Sequence, residues 1–124
     1  MTFCTAINCM DGRVQLPVQE YLKNRFKVKY TDMITEPGPN GILAEGVDDT
    51  VIQSIFDRIN ISVNKHNSSG IAIVGHHDCA GNPVSKTKQH EQLHQSANVI
   101  KEKYPDIPVI KLWVNENWQV HEIE

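Results

Sequence analysis

Cysteine is scarce in this 124-residue chain: Cys4, Cys9 and Cys79 are all there is. Three thiols cannot build a disulfide framework, so they read as buried hydrophobes or as metal ligands. Long apolar runs are missing as well. None approaches the ~20 residues that a bilayer span requires, and no membrane is expected as a partner. The opening Met1-Thr2-Phe3-Cys4 shows no basic segment ahead of an apolar one, so a cytoplasmic protein without a secretory leader is expected. Dense positive charge is missing too. The formal net charge is −3, and Lys86 and Lys88 lie among glutamines and histidines in what reads as a solvated helix face. That excludes a nucleic-acid footprint. No glycine-rich fingerprint follows the first strand-like run, which removes a dinucleotide site. Internal repeats, low-complexity tracts and linkers are likewise absent.

What remains is an ordinary globular composition, 40% hydrophobic and 22% charged, at the length of one domain. Phe3 to Asn8 reads as a central strand. Val14 to Phe26 takes helical spacing through Val14, Val18, Tyr21, Leu22 and Phe26, with Pro17 placing the helix start near Leu16. Val28 to Thr31 alternates as a second strand. Thr35 to Gly41 (TEPGPNG) is dense in turn residues and reads as a stiff loop. A helix from about Asp48 to Asn64 presents Val51, Ile52, Ile55, Phe56, Ile59 and Val63 on one face. Ile71 to Val74 is continuously apolar, as a strand covered on both faces must be. A polar helix spans about Ser85 to Lys103, with Leu93, Ala97 and Ile100 inward, and Ile107 to Val114 is another strand. Trp118 to Ile123 reads either as an edge strand or as a packed-down tail. The alternation predicts a three-layer α/β fold, with a mostly parallel sheet of four to five strands in the order 2-1-3-4 and helices on both faces.

Two stretches carry the chemistry: Cys9-Met10-Asp11-Gly12-Arg13 and Gly75-His76-His77-Asp78-Cys79-Ala80-Gly81. Each follows a strand, and in the order 2-1-3-4 those two strands flank the crevice where the sheet changes direction. Cys9, His76 and Cys79 form a thiolate–imidazole set suited to zinc, and three protein ligands leave a fourth position for water. Two thiolates offset the charge of the ion, so bound water is acidified less than by three neutral histidines. Asp11 is placed to accept a hydrogen bond from zinc-bound water or hydroxide, and Arg13 to hold Asp11 ionised through a bidentate contact. The expected chemistry is attack of hydroxide on an electrophilic carbon. If Arg13 pointed elsewhere, Asp11 could instead become the fourth ligand and close the site.

The pattern Cys-x-Asp-x-Arg followed by Gly-His-x-x-Cys-x-Gly resembles the β-class carbonic anhydrases over about Phe3 to Gly81. The resemblance implies zinc on Cys9, His76 and Cys79, with Asp11 and Arg13 as the catalytic dyad. It implies reversible hydration of carbon dioxide to bicarbonate by zinc-bound hydroxide, in one zinc-binding domain over 1–124. It also implies a homodimer or higher homo-oligomer, for which Trp113, Trp118 and Val120 offer apolar surface. This chain carries Gly12 where the family usually has serine, and the Thr35–Gly41 segment where it usually has Arg-Asn-Ala-Gly. Thr35–Gly41 is expected to line the pocket. Two other readings use the same residues: a zinc lyase or hydrolase for another small electrophile, such as a carbon–sulfur compound, and a closed, non-catalytic zinc site. A cysteine-nucleophile phosphatase does not fit, because Arg13 comes only four residues after Cys9 and the loop cannot ring a phosphate with backbone donors. Cys4 reads as a buried hydrophobe. His77 is expected to diverge from the ligand His76, and Asp78 to accept from a loop amide or from Arg13. His66, His90, His94 and His121 read as surface residues.

Overall fold

The computed structural model describes residues 2–124. Its sheet has five strands in the order β2-β1-β3-β4-β5. β1 (Phe3–Cys9) and β3 (Ile71–His76) lie at its centre, and nearly every residue in them is buried. Their side chains meet protein on both faces, which is why both read as unbroken apolar runs. The pair is parallel, with Ile7 opposite Ile73, so both strands end side by side within three residues of that rung. β2 (Tyr30–Glu36) and β4 (Val109–Val114) flank them in parallel. β5 (Val120–Ile123) closes the far edge antiparallel to β4, which settles the tail as an edge strand. The α/β class and the order 2-1-3-4 are those expected from the sequence.

The two faces are covered unequally. On one, α1 (Gln15–Phe26) sets Val18 and Leu22 against Cys4, Ala6, Ala72, Val74 and Leu112. On the other, α2 (Pro39–Glu45), α3 (Asp49–His66) and α4 (Lys86–Lys103) enclose Ile7, Ile34, Ile71 and Ile73 with Leu43, Ile55, Ile59, Leu93 and Ile100. The helices begin where their chemistry directs. Pro17 sits in the first turn of α1, where its missing N–H costs nothing. Asp48 caps α3 by accepting from the Val51 amide at 3.2 Å, and Ser85 caps α4 by accepting from Lys88 at 3.1 Å.

Three expectations need correction. The second strand runs Tyr30–Glu36 rather than Val28–Thr31. Val28 is buried ahead of it, and the strand continues through Met33 and Ile34 beyond the polar Asp32. The Thr35–Gly41 segment is not one loop: it finishes β2, turns at Pro37-Gly38 and starts α2, with Pro39 in the first helical position. Finally, Trp113 is a core residue, and Trp118 and Val120 pack partly buried against the α1 side of the sheet. Trp113 therefore offers no surface to a second copy, while Trp118 and Val120 keep part of theirs exposed. Among the described residues, no helix is long and apolar enough to cross a membrane.

Candidate metal centre

The last residue of β1 is Cys9 and the last of β3 is His76. The turn after β3 carries Cys79 back beneath them, with Asp78 at a left-handed φ of 57°. The ligand atoms of Cys9, His76 and Cys79 all lie within 4.8 Å of one another, and all three residues are buried. The two sulfurs are 3.9 Å apart.

His76 is oriented from both ends. Its Nδ1 pairs with the His77 carbonyl at 2.7 Å, which makes Nδ1 the protonated nitrogen and leaves Nε2 a lone pair. That Nε2 is buried and has no hydrogen-bond partner. A buried, unpartnered imidazole nitrogen facing two thiols is the donor set of a thiophilic metal such as zinc, with the carbonyl fixing the tautomer. The backbone of His76 is clamped by Gln89 of α4. Its Oε1 accepts from the His76 amide at 3.2 Å, and its Nε2 donates to the His76 carbonyl at 2.8 Å. Gln89 is itself buried and receives Asn40 Nδ2 at 3.3 Å. Gly75 leaves room for this clamp, since a Cβ there would meet Gln89 Oε1 at 2.8 Å.

The thiols do not share their proton equally. Cys9 is drawn down to about 4, chiefly by a hydrogen bond from Cys79, which outweighs its burial. His76 and the amides of Asp11 and Gly38 pull the same way. Cys79, which keeps its own proton and donates it to the Cys9 sulfur, is pushed upward, and burial adds to this. Burial alone would depress His76, but the facing Cys9 sulfur and the His77 carbonyl leave it raised. The pocket thus favours one thiolate even before a metal arrives.

Asp11 lies outside the three-residue group and is turned to Arg13. Its Oδ1 accepts from the Arg13 amide at 2.9 Å and from Nε at 3.0 Å, and its Oδ2 accepts from Nη2 at 2.7 Å. These bonds hold the Asp11 carboxyl down to about 2. Arg13 also reaches Asp78, with Nη1 to Oδ2 at 3.2 Å and Nη2 to the carbonyl at 3.1 Å. Gln15 ties down the turn that carries Asp11, donating to the Cys9 carbonyl at 2.7 Å and the Asp11 carbonyl at 2.9 Å.

A cavity of about 210 Å³ opens beside these groups, lined by Cys9, Met10, Asp11, Pro37, Ala80 and Gly81. Pro37 thus borders it, as expected of the segment after β2, whereas Glu36 pairs with Arg58 and Asn40 is buried behind the site. The wall is tight. A Cβ on Gly81 would lie 2.6 Å from Pro37, and Gly38 turns at a φ of +64° with Asn82 beside it. A wider hollow of about 270 Å³ between α2 and α4 holds no ligand cluster.

Cys4 is buried and apart, its sulfur 3.5 Å from the Thr31 hydroxyl. His77, His66, His94 and His121 are exposed. His90 is not a plain surface residue: its Nε2 is buried, and its ring meets Trp113 edge-on at 5.3 Å. Gln89, Gln15 and Trp118 were not read from the sequence as parts of the site. For Gln89 a signal existed, because it stands four residues before Leu93 and so on the inner stripe of α4.

A mostly parallel α/β sheet with a buried Cys-His-Cys cluster at the ends of its two central strands defines a protein with a thiolate–imidazole pocket suited to a metal. The chain belongs to the family described as "Putative carbonic anhydrase", whose model matches residues 1–124. No curated protein matches it.

Proposed function

We propose that residues 1–124 form one zinc-binding domain that interconverts carbon dioxide and bicarbonate. The observation that carries this reading is the buried, unpartnered Nε2 of His76 facing Cys9 and Cys79, with an ionised carboxylate held beside the same cavity. Cys9, His76 and Cys79 would hold the ion. Bound zinc supplies the acidity that makes water a nucleophile near neutral pH.

The remaining work falls to the chain's own groups. Asp11 stays ionised because Arg13 engages both its oxygens; Oδ1 already accepts from the Arg13 amide and Nε, so Oδ2, whose one short bond is to Nη2, is the oxygen with acceptor capacity to spare. Asp11 therefore selects a nucleophile that carries a proton and orients it by accepting that hydrogen. Arg13 and Gln15 fix where the carboxylate stands. The cavity walls of Met10, Pro37 and Ala80 offer an apolar surface to a small uncharged substrate. Bicarbonate formation adds water across one carbon–oxygen bond and releases a proton, so the reaction needs no further co-reactant. Engagement of Asp11 by Arg13 favours an open site over a closed one with Asp11 as fourth ligand. With Trp113 in the core, assembly of copies rests on the family resemblance and on the partly exposed Trp118 and Val120.

Metal analysis and stopped-flow hydration of carbon dioxide test the proposal. Zinc should bind one per chain, and Cys79→Ser should lose both metal and activity. Asp11→Asn should keep the metal and lose activity at least tenfold, in line with general acid–base and positioning contributions. Full hydration activity in Asp11→Asn would refute the assigned role.

A further inference from the structure

The Arg13 guanidinium uses four of its five N–H donors on Asp11 and Asp78. Both partners are weak restraints. Asp11 stands only two residues away and moves with the same turn, while the Asp78 side chain is 70% exposed, where a single ion pair adds little rigidity. The flat face of the guanidinium is covered by a third group from the opposite half of the chain. The Trp118 ring lies 4.3 Å from Arg13 Cζ.

The turn between β4 and β5 is built to present that ring. Trp118 adopts a left-handed φ of 59°, uncommon for a bulky side chain. Its amide donates to the Asn115 carbonyl at 2.9 Å. Asn115 Oδ1 accepts from the amides of Asn117 and Gln119 at 2.9 and 3.0 Å. One edge of the tryptophan packs against the core, so the ring is anchored and the arginine leans on it.

We propose that Trp118 is a positioning residue for the Arg13–Asp11 pair: its ring holds the guanidinium on Asp11 and so keeps that carboxylate out of the ligand set. The inference rests on the metal-site reading above. Without the ring, a half-exposed arginine recovers its rotamers, and Asp11 spends part of its time free to turn toward Cys9, His76 and Cys79. The residue acts through Arg13 and touches no reacting atom.

The test uses the full chain loaded with Co²⁺, with azide binding followed by visible absorption. Trp118→Leu should raise the ratio of Asp11-ligated to open cobalt sites, read from the visible bands, about threefold, the size of one partly exposed cation–π contact, and weaken azide binding only in proportion to the open fraction lost. Trp118→Phe should stay within about twofold of wild type. In an Asp11→Ala background, Trp118→Leu should change nothing. In the metal-free protein, the Arg13 Nε–H should exchange with solvent about threefold faster in Trp118→Leu. An unchanged ratio of Asp11-ligated to open sites in Trp118→Leu, or equal weakening of azide binding with and without Asp11, overturns the positioning role while leaving the metal site standing. A wild-type chain that takes up no Co²⁺ overturns the site reading and this inference with it.

Discussion

Replacing Gln89 with leucine removes both hydrogen bonds that hold the backbone of His76. The site is fully buried, so no water takes over, and the His76 amide and carbonyl are left unsatisfied. Each orphaned group costs about 1–3 kcal/mol, or roughly 2–6 kcal/mol for the pair. Leucine's apolar surface returns about 1 kcal/mol beyond the methylenes glutamine already buries. The net loss is about 3 kcal/mol. At a urea m-value of about 1.5 kcal/mol/M, the midpoint falls by about 2 M with m unchanged. Urea unfolding of the metal-free protein measures this directly, with Gln95→Leu as the control. Gln95 is exposed on the same helix and should shift stability by no more than about 0.5 kcal/mol. Chelator competition then gives zinc affinity, which should fall as well, because metal binding draws on the preformed position of His76. A Gln89→Leu protein that unfolds within about 0.3 M of wild type would show that Gln89 does not hold the ligand strand.

Gly81→Ala should weaken metal binding and cost at least about 1–3 kcal/mol, since its Cβ would sit 2.6 Å from the Pro37 backbone and the cavity wall must move; chelator competition and thermal unfolding read the two effects. In the metal-free protein the Cys9–Cys79 pair should contribute most to stability near the ordinary thiol value. Cys9 titrates lower when folded, at about 4, so its contribution is complete above the unfolded thiol value and is lost as pH falls toward 4. Cys79 is raised, so its contribution is present below the unfolded value and is lost as pH rises past it. Thiolate absorbance near 240 nm should report one ionised cysteine across that interval, and two protonated thiols at pH 7 would contradict the pairing. Cys4→Ala should keep full metal stoichiometry and cost about 1–2 kcal/mol, a buried thiol whose side-chain partner is Thr31; lost zinc in that variant would place Cys4 at the site.

The parts of this molecule that read correctly from sequence are those governed by a single local rule. β1 and β3 announce themselves because burial on both faces demands an apolar run, and the chemistry-bearing residues stand out because they break those runs at the C-terminal ends. Asp11 and Arg13 are adjacent enough for their pairing to follow from spacing alone. β2 was misplaced for the opposite reason. It is an edge strand, and Asp32 within it bonds Ser62 and His66 rather than marking a turn. α2 hid behind Pro37-Gly38-Pro39, where one proline closes a turn and the next opens a helix. Gln89 and Trp118 were illegible in their roles because their partners lie 13 and 105 residues away. No periodicity reports that α4 turns an amide toward β3, or that the β4–β5 turn stacks on the first loop.

The unequal covering of the sheet has a consequence for how metal would enter and leave. Three helices seal one face, whereas the face bearing Cys9 and Cys79 is sealed chiefly by α1, twelve residues long. Native proteins open in patches well below the free energy of complete unfolding. Were α1 and its short lead-in turn to lift as one such patch, the bonds by which Gln15 and Val14 link that turn to Cys9 and Asn8 would break. Peeling it back bares the thiols while the three-helix side stays folded. A metal held by Cys9 and Cys79 would then exchange through a local opening in the first quarter of the chain, on a timescale separate from the lifetime of the fold.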